Sequence, residues 1–275
     1  MFYGLSRSRA LWATVAAGVL GAGGLAGAPV IAQTPPDGLV RVVHGLRGLV
    51  ADIYLDGTLV LPTFRPERST DPLPIPAGEH EVVIREAGAD AMQKPLLRQT
   101  VSVPPGFRGS LVAHLDRRGK PTLTAYADDL GKIPAGESRL VVRHAAAAEP
   151  INVILDDQPT LTALAPRAEA SRLIGAGRYQ ISVRPPSGGK PLAAPQGVEY
   201  AEGTANFMYL IGSQAEGTLG WAAVKVGNLE TPPVRIQTGD GSTGGDGVDE
   251  RGWLLGGAAL AGGTAIWTRR RRRAH

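Results

Sequence analysis

The feature that most constrains this 275-residue chain is an internal repeat with a period of about 100 residues. Four blocks match in the same order. The first two are 42–45 (VVHG) with 142–145 (VRHA) and 52–57 (DIYLDG) with 152–157 (NVILDD). After one residue of slippage, 77–85 (AGEHEVVIR) matches 176–184 (AGRYQISVR), and then 94–96 (KPL) matches 190–192 (KPL). The agreement predicts two homologous domains, repeat 1 (residues 38–129) and repeat 2 (residues 138–226), joined by a linker.

Each repeat has the pattern of short β-strands. Residues 40–44 alternate at period two, and Asp56-Gly57 is a two-residue turn signal that joins the strands of a hairpin. Three prolines within residues 72–76 exclude a central strand, so this segment is expected to be a loop or an edge. Six or seven short strands in each repeat predict an all-β fold of two tandem immunoglobulin-like β-sandwich domains.

Both ends of the chain have the features of targeting segments. Residues 1–32 combine a basic start with a long apolar stretch, which predicts a signal peptide cleaved after Ala32; an uncleaved N-terminal anchor is the alternative. Residues 252–268 are uncharged and precede five arginines, which predicts a transmembrane helix with residues 269–275 as a cytoplasmic Arg-rich tail. The intervening chain is then expected to be exported and to lie outside the cell.

The segment between repeat 2 and the apolar stretch is predicted to be a flexible stalk. Residues 227–251 are rich in glycine and lack periodicity. Thr238-Gly239, followed by a hydrophobic stretch and a basic tail, partly resembles a cell-wall sorting signal, although the Leu-Pro-x-Thr-Gly pentapeptide is absent. Thr238 and Gly239 are therefore a candidate cleavage site, and the partner of this end is either the membrane, through the helix, or the cell wall, through sortase.

Charge and composition exclude several classes of function. Seven of the 29 basic residues, Arg7, Arg9 and 269–273, belong to the targeting segments, which leaves 22 against 25 acidic residues. Nucleic acid is not an expected partner, because its binding needs clustered cations on a folded surface. The absence of cysteine excludes thiol nucleophiles and thiolate metal sites. The abundance of Arg, Ala and Gly suggests an actinobacterial source.

Three sequence motifs of repeat 1 also resemble the motifs of a known protein family. Residues 41–44 (RVVH), 50–57 (VADIYLDG) and 75–78 (IPAG) resemble those of a bacterial extracellular family called domain of unknown function 4397. His80 takes the position of a tyrosine usual in that family, which repeat 2 keeps as Tyr179. The resemblance implies two tandem copies of a secreted or surface β-sandwich, and it implies no activity.

The first residues to consider for chemistry are His44 and His144, which occupy equivalent positions. With Asp52 and Asn152 nearby, a metal or acid–base site can be imagined. Each repeat nevertheless lacks the further ligands that zinc needs, so a structural histidine at a strand end is favoured. We find no catalytic motif and expect no cofactor and no metal.

The leading hypothesis is a non-catalytic cell-surface protein that displays two β-sandwich modules on a flexible stalk, in a binding, adhesion or envelope-structural role. Its partner is then an unknown extracellular protein or glycan. The alternative is an extracellular carbohydrate- or peptidoglycan-binding module, for which Trp221 and Tyr209 are candidate aromatic residues, although core packing is favoured for both. A secreted hydrolase would require a deep polar cleft with two convergent carboxylates.

Overall fold

The computed structural model describes residues 34–90 and 92–231. The predicted signal peptide, the Thr238-Gly239 site, the predicted transmembrane helix and the Arg-rich tail lie outside the described residues. Over the described part of the chain there is no helix, and hence none with the length and apolar character to cross a membrane.

The described residues form sixteen β-strands. Those of repeat 1 are β1 (Gly38–His44), β2 (Ala51–Leu55), β3 (Thr58–Phe64), β4 (Leu73–Ile75), β5 (Gly78–Glu86), β6 (Leu97–Val103), β7 (Arg108–Leu115) and β8 (Pro121–Ala127). Those of repeat 2 are β9 (Glu137–His144), β10 (Ile151–Leu155), β11 (Gln158–Leu164), β12 (Glu169–Gly175), β13 (Gly177–Arg184), β14 (Gln196–Tyr200), β15 (Ala205–Ile211) and β16 (Gly220–Val226).

Each repeat folds into two four-stranded sheets with the same strand order. The sheets of repeat 1 are β4-β1-β7-β8 and β3-β2-β5-β6, and those of repeat 2 are β12-β9-β15-β16 and β11-β10-β13-β14. Neighbouring strands within these sheets are antiparallel, except that β1 is parallel to β7 and β9 is parallel to β15. The duplication in the sequence is thus also present in the order of the strands.

The all-β prediction is confirmed, whereas the immunoglobulin-like strand order needs correction. An immunoglobulin domain keeps its first two strands in one sheet, but here β1 and β2 lie in opposite sheets and each repeat has eight strands. The sequence pattern marks strands without fixing their partners, because pairing depends on long-range contacts. The proline-rich segment forms β4, a three-residue edge strand, where a missing proline N–H costs no ladder hydrogen bond.

The central strands β7 of repeat 1 and β9 and β15 of repeat 2 are buried on both faces, because one sheet of each repeat packs against the other. In β1, Val40 and Val42 belong to the core of repeat 1, whereas Val43 faces repeat 2. The described parts of both repeats form one compact unit. We call the shared core the inter-repeat layer; its buried apolar residues are Val43, Val112, Tyr126, Ile133, Val141, Ala145, Ala205, Phe207, Tyr209, Ile211, Ala222 and Leu229.

Close approach of the two repeats depends on Gly45, which follows β1 directly. A Cβ atom at this position would lie 2.8 Å from Cγ2 of Ile211 in repeat 2 and 2.8 Å from the carbonyl oxygen of Ala113. At the rim, Arg47 Nη1 of repeat 1 donates a hydrogen bond to the carbonyl of Thr218 in repeat 2 at 2.6 Å. The contact therefore combines tight apolar packing with a polar edge.

The linker also packs against the end of repeat 2. Ile133 is fully buried, and its N–H donates to the carbonyl of Leu229 at 2.8 Å. The N–H of Thr231 in turn donates to the carbonyl of Ile133 at 2.9 Å. Residues 229–231, which were predicted to be part of a stalk beginning at residue 227, therefore belong to the folded unit.

Truncation of Phe207 to alanine tests whether the inter-repeat layer holds the two repeats together. We expect the free energy of unfolding in urea to fall by about 3–5 kcal/mol, the usual cost of a cavity left by a core phenylalanine. Leu173→Ala on β12, where the side chain is 42% exposed, is the control and should change it by about 0.5 kcal/mol or less. Equal, small effects of the two substitutions would contradict the proposed layer.

Candidate functional site

The inter-repeat layer contains a fully buried charge, Arg143 on β9. Repeat 1 has Val43 at the equivalent position. Arg143 Nε donates to Glu169 Oε2 at 2.6 Å, while Nη1 donates to Ser110 Oγ at 3.0 Å and to the hydroxyl of Tyr209 at 2.8 Å. The acceptors thus come from both repeats, since Ser110 lies on β7 and Tyr209 on β15.

Asp128 completes the surroundings of the guanidinium. Arg143 Nη2 donates to the carbonyl of Ala127 at 2.9 Å and forms an ion pair with Asp128 Oδ1 at 2.9 Å. The other carboxylate oxygen of Asp128 accepts a hydrogen bond from Arg41 Nη1 at 3.0 Å, and the Asp128 side chain is 1% exposed. The guanidinium therefore donates four hydrogen bonds, and its charge is balanced by the nearby carboxylates of Asp128 and Glu169.

Aromatic rings enclose the same guanidinium. Its central carbon lies 4.6 Å from the ring centroid of Phe207, 5.0 Å from that of Tyr126 and 5.3 Å from that of Tyr209, within the range of cation–π attraction. Burial acts to lower the pKa of Arg143, but electrostatic interactions with Tyr209 and with the carboxylates of Glu169 and Asp128 outweigh it and raise the pKa. The arginine stays charged and fully paired, so its N–H groups join the two repeats and are not available to a substrate.

The histidine pair singled out in the sequence is buried at equivalent strand ends. His144 Nε2 lies 3.0 Å from the carbonyl oxygen of Glu149, which can only accept, so Nε2 carries the proton. His44 Nδ1 accepts a hydrogen bond from the N–H of Leu46 at 3.3 Å. Burial lowers the pKa of both histidines, to about 4 for His44, against the opposing effect of backbone hydrogen bonds. These contacts describe neutral imidazoles that fix the loop after each strand.

Asp52 and Asn152 do not join the histidines in a site. Asp52 accepts hydrogen bonds from the backbone N–H groups of Thr63 at 2.7 Å and Gly88 at 3.1 Å. Asn152 accepts one from the N–H of Ala163 at 2.8 Å. Thr63 and Ala163 have φ values of 48° and 51°, which are unusual for such side chains, next to irregular pairing of the hairpin. The carboxylate and the amide thus stabilise a bulge at the same place in each repeat.

A histidine that the sequence analysis treated only as a departure from the family pattern forms an ion pair. His80 Nδ1 lies 2.7 Å from Asp56 Oδ2 in the β2–β3 turn, and His80 Nε2 lies 2.8 Å from the carbonyl of Pro76. Asp56 Oδ1 also accepts from the N–H of Glu81 at 2.8 Å. The hydrogen bond with Asp56 raises the pKa of His80 and lowers that of Asp56. Tyr179 takes the equivalent position in repeat 2.

His114, on β7, is a third buried histidine. Its Nδ1 lies 2.9 Å from the carbonyl of Leu115, and its Nε2 lies 2.9 Å from Thr124 Oγ1. Burial lowers the pKa of His114 to about 4, and the Leu115 carbonyl opposes this shift.

The aromatic residues considered for sugar binding lie in the cores. Tyr209 is fully buried in the inter-repeat layer, and Trp221 is 9% exposed in the core of repeat 2. Neither ring is available to stack on a sugar, so their role is packing.

Repeat 1 contains an apolar cavity of about 260 Å³ between its two sheets. Its mouth lies between β3 and β4, where Val60 is 40% exposed. Val82, Ile84 and Leu123, all almost completely buried, line its inner part. Tyr54 is the one lining residue with a polar side-chain atom. Over residues 34–90 and 92–231, no three His, Asp or Glu side chains converge closely enough to hold a metal ion.

Sequence reasoning missed the Arg143 network and the cavity. A signal for the first was present in β15, residues 205–211 (ANFMYLI), because a nearly continuous apolar run is typical of a strand buried on both faces. This run predicts packing of one repeat on the other, and Arg143, on the strand parallel to β15, then becomes a buried charge. Asp128 had no distinguishing signal, since its neighbour Asp129 is chemically identical and exposed.

Comparison with known proteins adds one finding about the family. Residues 38–153 match the family described as Domain of unknown function (DUF4397). The match runs from β1 to the first residues of β10 and so includes all of repeat 1 and the beginning of repeat 2. It comprises one copy and agrees with the motif resemblance drawn from repeat 1. No curated protein matches the chain.

Removal of the Asp128 carboxylate is expected to destabilise the fold strongly. Asp128→Ala leaves Arg143 buried without one of its counter-ions, and breaking a buried pair typically costs about 3–5 kcal/mol. The control is Asp129→Ala, because the side chain of Asp129 is 64% exposed and its ion pair with Arg139 is worth about 1 kcal/mol or less. Urea unfolding at neutral pH measures both; a loss at Asp128 no larger than that at Asp129 would argue against the network.

The buried histidines predict a loss of stability on mild acidification. His44 and His114 have a pKa of about 4 in the folded protein, against an ordinary value of 6.5. Below pH 6.5 the unfolded chain binds more protons than the folded one, so the free energy of unfolding falls as the pH falls. His44→Gln should flatten this dependence in urea titrations between about pH 5 and pH 6.5.

His80 serves as the control, because its pKa shift, and hence its effect on the pH dependence of stability, has the opposite sign. Because its folded pKa is raised, it stabilises the fold below pH 6.5, and this contribution is lost as the pH rises through the folded pKa. His80→Gln should therefore remove a decline in stability above pH 6.5 and leave the acidic limb unchanged. The assignments are wrong if both variants follow the wild-type curve at every pH.

Proposed function

We propose that this chain is a non-catalytic cell-surface protein that displays its two β-sandwich repeats as one rigid binding, adhesion or envelope-structural module. In this proposal residues 1–32 direct export, residues 252–268 span the membrane, and the Arg-rich tail remains in the cytoplasm. Repeat 2 is a second, diverged copy of the family that matches repeat 1. The same strand order and the equivalent contacts of the bulge residues Asp52 and Asn152 support this duplication.

The observation that carries the proposal is the inter-repeat layer with its fully paired Arg143. Two modules joined by a flexible linker would change their relative orientation, whereas a shared core with acceptors from both repeats holds them in one arrangement. Such rigidity favours a surface that presents loops in fixed positions, because little conformational entropy is lost when a partner binds.

The chemistry of the described residues supports a role without catalysis. The cavity of repeat 1 has no titratable lining group other than Tyr54, and the two sequence-selected histidines are buried with lowered pKa values. Arg143 donates four hydrogen bonds within the protein and forms an ion pair with Asp128. A hydrolase would instead place convergent carboxylates in a polar cleft.

The proposal is tested in the native host by the accessibility of an epitope inserted after Pro35 and by mass spectrometry of the mature C-terminus. We expect antibody to label intact cells and the chain to retain His275 as its last residue. A C-terminus at Thr238 would support display through wall attachment, and Thr238→Ala should then restore the full-length form. An epitope that is reached only after cell lysis would overturn the proposal.

A further inference from the structure

At the place where the apolar cavity of repeat 1 reaches the surface, repeat 2 has a polar contact between its two sheets. In repeat 2 the edge strand β12 has seven residues, and Arg172 Nη1 donates to the carbonyl of Thr160 on β11 at 3.1 Å. Repeat 1 has Leu73 and Val60 at the positions equivalent to Arg172 and Thr160, and its edge strand β4 has only three residues. The two edge strands are thus joined by a polar contact in repeat 2, whereas the equivalent residues of repeat 1 are apolar and form the mouth of the cavity.

The shape of the cavity restricts what it can hold. Its lining extends from Leu73 on β4 to Leu123 on β8, which is three strand positions across one sheet, or about 14 Å at the usual strand spacing. A volume of about 260 Å³ corresponds to about eight or nine groups of the size of water or methylene. A space that is this long for its volume suits a single file of methylene groups better than a fused ring system.

The lining also restricts the chemistry of the occupant. No charged side chain contributes to it, so a buried part of a ligand must be uncharged and largely apolar. An apolar cavity smaller than this one, of about 150 Å³, stays dry and takes up benzene, so a cavity without water is ready to receive hydrocarbon. A polar end group of the ligand would remain at the mouth beside Val60, in contact with solvent.

From this geometry we infer that repeat 1 binds one unbranched alkyl chain of about eight to ten carbons, inserted between β3 and β4 into the apolar cavity. The chain is supplied either by a free fatty acid or by the acyl chain of a membrane lipid. The inference names the ligand class for the proposed binding role and rests on that role. It is measured on purified protein, so failure to bind and failure of surface display are separate results.

Binding is measured with the full chain kept soluble in cholate, a steroid detergent without a long unbranched alkyl chain, and with sodium decanoate as the probe. Methyl NMR should show saturable shifts of Val42, Leu73 and Leu123, which line the cavity, and none at Leu155 and Leu164 in the core of repeat 2. Phosphatidylglycerol dissolved in the same cholate micelles forms the second arm. Saturation by decanoate alone identifies a free fatty acid as the source, and saturation by phosphatidylglycerol alone identifies a lipid chain.

Val60→Trp places an indole at the mouth and should weaken decanoate binding by about tenfold or more, because several methylene groups can no longer be buried. Thr160→Trp makes the same change at the equivalent position of repeat 2 and should leave the affinity unchanged. The inference is overturned if neither probe shifts the cavity methyls, if Val60→Trp binds decanoate as the wild type does, or if naphthalene binds there more tightly than decanoate.

Discussion

The positive charge of Arg143 between two apolar sheets is the constraint on which the arrangement of this molecule depends. A guanidinium in such a layer is tolerated only when its donors are satisfied and its charge is balanced. Ser110 and Asp128 belong to the chain of repeat 1, and Tyr209 and Glu169 belong to that of repeat 2. The network is complete only when both repeats are folded and docked. Stability of each repeat is therefore coupled to that of the other.

The same constraint explains why the two repeats differ in sequence where they meet. The inter-repeat layer brings the same sheet of each repeat together, so Val43 and Arg143 occupy equivalent places within it. Arginine at both places would put two like charges into one apolar layer, and valine at both would leave Asp128 with less compensation. One arginine and one valine compensate the charge of Asp128 without placing two like charges in the layer. The different residues at this position are thus compatible with docking of the two repeats, whereas two arginines would not be.

Local features of the sequence were sufficient to predict much of the fold. The Asp56-Gly57 turn, the alternation in β1 and the edge position of residues 73–75 depend on nearest neighbours along the chain, and the structure agrees with each. Strand partners, the docking of the repeats and the network of Arg143 depend on contacts between residues far apart in sequence. The histidines show the same limit for a site: their equivalence was evident, but their burial, which lowers the pKa, was not.

The prolines of residues 72–76 are a local sequence feature that lies beside the cavity of repeat 1. Because proline cannot donate to a sheet ladder, these residues restrict β4 to three residues at an edge. Repeat 2 has no proline in the equivalent segment, and its edge strand β12 has seven residues. Arg172, at the position of Leu73, donates from β12 to β11, whereas leucine has no side-chain donor to make this contact. The side chain at this one position therefore distinguishes the apolar entrance beside Val60 from the polar edge of repeat 2.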